Sequence, residues 1–359
     1  MRSSNSTCFP RPVADGNQVV SGTQPCKTFP RAARKHPRSR ERIVARTERV
    51  LRNDHGGDLA ARRLNSRFSR RRARAWSAHT LSRTGSPPHL GGMDTQIIQL
   101  GLLDDEDIEL DTAALALARL DHPGVDLAPY ESILDAMVTR LAAIGGAAAE
   151  AGTRAALLAQ VLAGEHGFAG DRESYDDPAN ADLIRVIERR RGLPVALSIL
   201  YVATARHVGW SAEALDVPGH VLVLIADDEA PVIVDPFRGG ATVDAQQLAR
   251  LVAVGAGEGQ PVPREVAAMP NRAILSRLLR NQATRAETAG DRRRALSLYT
   301  RMTIFAPDQG HGWWERARLE LADGDIPAAR ASLSAMLETT RDPTVRTRVT
   351  QTLTALAGA

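Results

Sequence analysis

From residue 105 onward, apolar residues recur at helical spacing through most of the chain. Ile108, Leu110, Leu115, Leu117 and Leu120 predict an acidic amphipathic helix over residues 107–121. His122-Pro123-Gly124 breaks it. Tyr130, Ile133, Leu134, Met137, Val138 and Leu141 predict a second helix to about Ile144, and a third runs from about Thr153 to Leu162. Residues 167–180 are rich in Gly, Asp and Pro and read as a loop. A short helix over residues 182–190 is ended by Gly192. Pro194 suits the first turn of the next helix, which continues to about Val208.

The pattern then changes. Residues 221–225 and 232–234 are short β-branched and apolar runs, joined by the turn sequence Asp227-Asp228-Glu229-Ala230-Pro231. They predict an antiparallel hairpin behind the preceding helix. One more helix is expected over residues 244–254.

The C-terminal part repeats. Ala283 and Ala317 are 34 residues apart, as are Gly290 and Gly324, Asp291 and Asp325, Ala295 and Ala329, and Met302 and Met336. Small residues at a fixed interval allow paired helices to approach closely, with Gly-Asp marking the turn between them. The period, with Trp313 and Pro307, resembles the tetratricopeptide repeat. Two such units are too few to stand alone, so they are expected to lean on the domain before them.

Composition divides the chain sharply. Of 359 residues 43% are hydrophobic but only 4% aromatic, so the core must be built mainly of Leu, Ala, Val and Ile. Length suggests about two domains. No apolar run reaches the ~18 residues of a membrane helix, and no apolar stretch follows the basic N-terminus as a signal peptide requires. The expectation is a cytoplasmic protein without membrane association. Residues 1–92 hold 18 Arg, 2 Lys and 5 acidic residues, a net +15. Residues 93–359 hold 26 Arg against 37 Asp and Glu, a net −11. The Arg-, Ser- and Pro-rich first segment, densest at Arg70, Arg71, Arg72 and Arg74, predicts disorder. One reading is a basic arm for nucleic acid; the favoured one is an inert tail upstream of a true start at Met93. Domain bounds follow as 1–92, 93–265 and 271–359.

Both cysteines, Cys8 and Cys26, lie in the basic segment, which excludes a disulfide framework or a Cys-rich zinc site beyond it. The nine histidines show no H-x-x-x-H or H-E-x-x-H spacing, so no metal is expected. Gly255-Ala256-Gly257-Glu258-Gly259 lacks the lysine of a phosphate-binding loop, and no cofactor is expected.

Four short motifs concentrate the chemistry: Asp176-Asp177-Pro178-Ala179-Asn180, Arg190-Arg191-Gly192-Leu193-Pro194, Pro218-Gly219-His220 and Asp235-Pro236-Phe237. In this order they resemble the SirB-type transglutaminase-like proteins, which often carry C-terminal helical repeats. The resemblance spans roughly residues 105–345. It implies an α+β, papain-like domain with an antiparallel sheet and an all-α tail. In that fold a cysteine at a helix N-terminus is the nucleophile, a strand histidine its base, and an aspartate on the next strand the orienter. Carried over, the base is His220, the orienter Asp235, and the cysteine position falls at Pro194. Proline offers no nucleophile, and no thiol exists after Cys26.

Ser198 lies one helical turn beyond Pro194 and is the one alternative nucleophile, giving Ser198-His220-Asp235. Against it, the turn displaces the hydroxyl by ~5.4 Å, away from the helix-terminal amides that stabilise an oxyanion. The plainer account is that Ser198 packs and bonds the carbonyl of residue 194. The plain accounts of the other residues are a core histidine, a turn-capping Asp235, a dipole-favoured Arg189-Arg190-Arg191 run and a core Trp313-Trp314 pair. The expected function is a non-catalytic regulatory or interaction protein that binds a protein partner through its repeat helices. A Ser198-dependent hydrolase or acyltransferase and nucleic-acid binding by the arm are the alternatives.

Overall fold

The computed structural model describes residues 92–227, 230–256 and 266–357. The basic segment through Gly91 with both cysteines, Asp228-Glu229 of the expected turn, and residues 257–259 of the Gly-rich run lie outside the described residues. Twelve α-helices and six strands are described. Helix α1 is Gly92–Leu102, α2 Leu110–Arg119, α3 Ala128–Gly145, α4 Ala151–Ala159, α5 Leu183–Arg189 and α6 Pro194–His207. The expected helix over 107–121 is in fact a 3₁₀ turn, Asp105–Asp107, followed by α2, and α4 runs on through a π turn, Gln160–Glu165.

Helix α6 organises the domain. Twelve successive residues, Pro194 to Ala205, are buried, so it is apolar on all sides as a helix must be when enclosed. Its fully buried Leu, Ile and Val side chains each contribute about 1.5–3 kcal/mol. A two-residue parallel pairing aims its start: β1 (Ala169–Gly170) lies beside β2 (Arg191–Gly192). Pro194 occupies the first turn, where the missing N–H costs nothing. At the other end His207 Nε2 lies 2.9 Å from Asp111 of α2.

The sheet is larger than the expected hairpin. Strands β3 (Ser211–Val217), β4 (His220–Ala226), β5 (Val232–Asp235) and β6 (Ala241–Thr242) follow one another, all antiparallel. Val217 pairs with His220, leaving Pro218-Gly219 as a two-residue turn. Gly219 has φ +72°, and proline followed by a left-handed glycine suits a type II turn. One sheet face packs on α6 through Val221, Val223, Ile225 and Val234. The other is covered by α7 (Ala245–Ala256), with Leu215, Leu222 and Val252 in a separate small core.

Five further helices follow: α8 (Asn271–Thr288), α9 (Arg292–Phe305), α10 (Gly310–Ala322), α11 (Ile326–Thr339) and α12 (Pro343–Ala357). The Gly-Asp pairs make the same turn twice. Gly290 and Gly324 have φ +78° and +81°, and Asp291 and Asp325 each accept a hydrogen bond from the N–H three residues on. Each glycine ends one helix and each aspartate starts the next. Helices α8 and α9 share the domain's core through Ile274, Leu275, Leu278, Leu298 and Phe305. A smaller core forms among Ala317, Ala329, Leu333, Met336 and Val349, with Trp313 and Trp314 packed on it. The Trp313 indole N–H donates to the Pro307 carbonyl, and the Arg348 guanidinium lies 4.1 Å from the Trp314 ring centre.

A three-residue ion cluster fastens the tail. Asp121, just after α2, accepts paired hydrogen bonds from both Arg294 and Arg301 of α9. Burial alone would raise the Asp121 pKa, but the two arginines outweigh it and hold the carboxyl below its ordinary value. Because the folded-state pKa is depressed, this stabilisation is full above the unfolded pKa of about 4 and is lost as pH falls through the folded value. Asp121→Asn is expected to cost about 1–3 kcal/mol at pH 7 in urea denaturation, the penalty for leaving two partly buried guanidinium groups without their charged partner. The difference from wild type should shrink below about pH 4. Asp323→Asn, which breaks an exposed pair with Arg292, should change stability by less than about 1 kcal/mol.

Candidate functional site

His220 opens β4 and Asp235 closes β5, and the antiparallel pairing of these strands sets the two side chains together. His220 Nε2 lies 3.0 Å from Asp235 Oδ1. The same oxygen accepts the Phe237 N–H at 3.0 Å. A carboxylate receiving the Nε2 proton leaves Nδ1 as the lone-pair nitrogen of the ring. Asp235 is 1% exposed, and its Oδ2 is 3.5 Å from Arg238 Nε, an ion pair without hydrogen-bond geometry. Phe237 meets His220 edge to face with ring centres 6.1 Å apart, and meets Tyr175 in the same way at 5.8 Å.

The start of β4 is fixed from two sides. Arg277 of α8 donates to the carbonyls of His220 (2.8 Å) and Val217 (3.2 Å) and pairs with Asp216. Ser198 of α6 donates its hydroxyl to the Val221 carbonyl at 3.4 Å. The expected bond from Ser198 to the carbonyl of residue 194 is thus replaced by one to the neighbouring strand. Its hydroxyl is directed to Val221 and not to the His220 ring, and the residue is 0% exposed. The physical reason is that α6 is covered on this side by β4, whose buried carbonyl needs a donor. Pro194 is buried at the helix start, and Leu193 before it supplies no side-chain cap.

An open cleft of about 520 Å³ lies over this pair, lined by Arg172, His220, Phe237, Arg238 and Leu251. Arg172 is carried by a loop that the sequence marks only as polar. That loop is held by Asp171, which accepts the N–H groups of Glu173 and Ser174 and pairs with Arg189 at 2.9 Å. The Ser174 N–H chiefly, with Asn180 and Arg189, holds the Asp171 carboxyl below its ordinary pKa against the effect of burial. Asn180, fully buried, donates to the Ser174 carbonyl and accepts from Arg189. The arginine run therefore does more than solvate a helix end. Arg189 ties Asp171 and Asn180, Arg190 lies 4.6 Å from the Phe168 ring centre, and Arg191 donates to the Gly167 carbonyl.

Beneath the site, Tyr201 of α6 is 0% exposed and its hydroxyl has no hydrogen-bond partner among the described residues. Burial and the charge of Asp235 push its pKa upward, so it stays neutral. Gly240, at φ +81°, lies directly against it. A Cβ there would meet the Ala159 Cβ at 2.7 Å and the Tyr201 oxygen at 2.8 Å. Among the described residues no group of three His, Cys, Asp or Glu side chains is arranged to hold a metal. No described helix is long and apolar enough to cross a membrane.

A buried helix beginning at Pro194, a strand histidine and an aspartate on the next strand are the arrangement expected of a transglutaminase-like domain, and comparison with known proteins supports the domain. A family model described as the transglutaminase-like superfamily matches residues 128–280. A UPF0162 protein of Xylella fastidiosa (strain 9a5c) is 30% identical over 243 residues, 67% of this chain and 86% of that one. A UPF0162 protein of Pseudomonas aeruginosa is 29% identical over 267 residues, 74% of this chain and 97% of that one. F-box only protein 21 of Homo sapiens is 35% identical over 63 residues, covering 18% of this chain and 10% of that protein. The chain belongs to the UPF0162 proteins and carries a transglutaminase-like domain.

Gly240→Ala is expected to lower stability by about 2 kcal/mol or more in thermal or urea unfolding, through strain at positive φ and overlap with Tyr201. Tyr201→Phe, which removes only a buried hydroxyl without a protein partner, should leave stability unchanged or raise it by about 1 kcal/mol.

Proposed function

We propose that this chain is a non-catalytic, SirB-type transglutaminase-like protein that acts by binding a protein partner. The carrying observation is that Pro194 stands at the N-terminus of α6, with no cysteine anywhere in residues 93–359. Thiol acyl transfer needs a thiolate activated at such a helix terminus, and a saturated ring cannot supply one. His220 and Asp235 keep a base-and-orienter geometry at 3.0 Å, but without a nucleophile that geometry is a positioning device. The Ser198 alternative finds no support in its surroundings. A base must come within about 2.6–3.2 Å of the proton it removes, and the Ser198 hydroxyl is spent on a backbone carbonyl.

The reading extends to the tail as tetratricopeptide-like repeats. Two identical Gly-Asp turns 34 residues apart support it, as do the small buried residues Ala283, Ala295, Ala317 and Ala329 at helix contacts. In such an array, stacked helix pairs present a surface on which a partner can lie. Because α8 and α9 share the domain's core, cutting the chain before Asn271 would open that core, and point variants are the better probe.

The test uses purified protein with thioester, ester and amide donors, alongside His220→Ala. The expected result is no turnover in wild type above the His220→Ala level. Turnover abolished by His220→Ala, and reduced equally by Ser198→Ala, would overturn the reading in favour of a serine hydrolase. Ser198→Ala should otherwise cost only about 1 kcal/mol of stability, the ordinary value of one hydrogen bond.

A further inference from the structure

We propose that the His220 cleft is a recognition site for an acidic peptide segment of a partner protein, whose carboxylates are held by Arg172 and Arg238. This rests on the non-catalytic reading, and it names the chemistry that the partner must present. The first ground is charge placement. Residues 93–359 carry a net −11, yet the charged side chains lining the cleft are two arginines, with His220 between a strand start and an aromatic ring. A cationic cleft on an anionic body selects an anionic ligand and orients it.

The second ground is which arginines are already engaged. Among the described residues the run Arg189–Arg191 and the pair Arg294 and Arg301 are tied into the fold. Arg277 is likewise committed, to Asp216 and the His220 carbonyl. Arg172 is exposed and has no acidic partner among the described residues. Arg238 is 57% exposed and reaches only the long, 3.5 Å contact with Asp235. Two exposed guanidinium groups on opposite elements, the loop after β1 and the 3₁₀ turn Pro236–Arg238, can each offer a planar fork to a carboxylate.

The third ground is the rest of the lining. Phe237 and Leu251 give the cleft an apolar floor, and Tyr175 extends the aromatic surface beyond Phe237. At about 520 Å³ the space falls within the size range of ligand clefts. It suits a short segment in which acidic residues flank an apolar side chain. Asp235, the acid beside Arg238, is buried and uses Oδ1 for His220 and the Phe237 N–H. Asp171, beside Arg172 in the chain, is turned to Arg189 and its own loop amides, so neither acid closes the cleft to anions.

The experiment is fluorescence anisotropy with the full chain. The probes are a labelled octapeptide of alternating Glu and Leu and its Gln isostere. The Glu peptide should bind at least tenfold more tightly than the Gln peptide. Arg172→Gln combined with Arg238→Gln should weaken Glu-peptide binding at least tenfold. Arg172→Gln alone, on an exposed loop where it cannot disturb the fold, should weaken it at least threefold. Removing two charges elsewhere, Arg292→Gln with Arg293→Gln, should change it less than twofold. Equal losses in the cleft and control variants, or no loss in the cleft variants, would overturn the proposal. So would cleft-dependent binding of anionic phospholipid vesicles without binding of the peptide. Mass spectrometry of the recovered peptide separates the two readings: cleavage or transamidation would contradict the non-catalytic role and leave the binding site standing.

Discussion

The enclosure of α6 is the constraint on which the rest depends. A helix buried along twelve successive residues fixes everything that touches it: the sheet on one side, α2 and α3 on others, and the short β1–β2 pairing at its start. At that depth a hydroxyl without a partner is costly, and of the two that face the sheet side Ser198 finds one while Tyr201 does not. Ser198 reaches across to the Val221 carbonyl, which sets the strand beginning at His220 against the helix. The neutral hydroxyl of Tyr201 backs onto Gly240, where no side chain could fit. The His220–Asp235 pair is a consequence of this packing as much as a site in its own right.

The chemistry inherits a second constraint, the proline at the first turn of α6. Proline is structurally apt there because the first N–H of a helix has no internal partner. It is also chemically inert, since a proline offers no side-chain nucleophile at the helix start. What remains is an imidazole held by a buried carboxylate beneath a cleft with two exposed arginines. Such an arrangement can orient and bind an anion without breaking a bond. The tail supports this cleft directly, since Arg277 of α8 holds the His220 carbonyl and Asp121 locks α9 to the end of α2.

Much of this was legible in the sequence, for physical reasons that differ by element. Helix α3 shows itself by periodicity, and the start of α6 by Pro194. His220 and Asp235 were legible because each sits in a short motif at a strand end, and the structure joins them by one hydrogen bond. Strand β3 was not, because Ser-Ala-Glu-Ala-Leu-Asp-Val has only one β-branched residue and takes its form from pairing with β4. Helix α1 was missed because its packing partner, α9, lies about 200 residues away in the chain. Arg172 and Leu251 could not be found at all, since a loop arginine and a helix leucine acquire meaning only from what tertiary structure sets beside them. Local pairing directs the Ser198 hydroxyl to its own helix, and β4 supplies a competing carbonyl that the sequence does not show.

The most direct test of the central claim is covalent trapping. Full-length protein is incubated with a reactive acyl fluorophosphonate and an acyl chloromethylketone, then mapped by peptide mass spectrometry. The account predicts no stoichiometric adduct on any residue from 93 to 359. A one-to-one adduct on Ser198 that disappears in His220→Ala would show that the buried hydroxyl is an activated nucleophile and would contradict it.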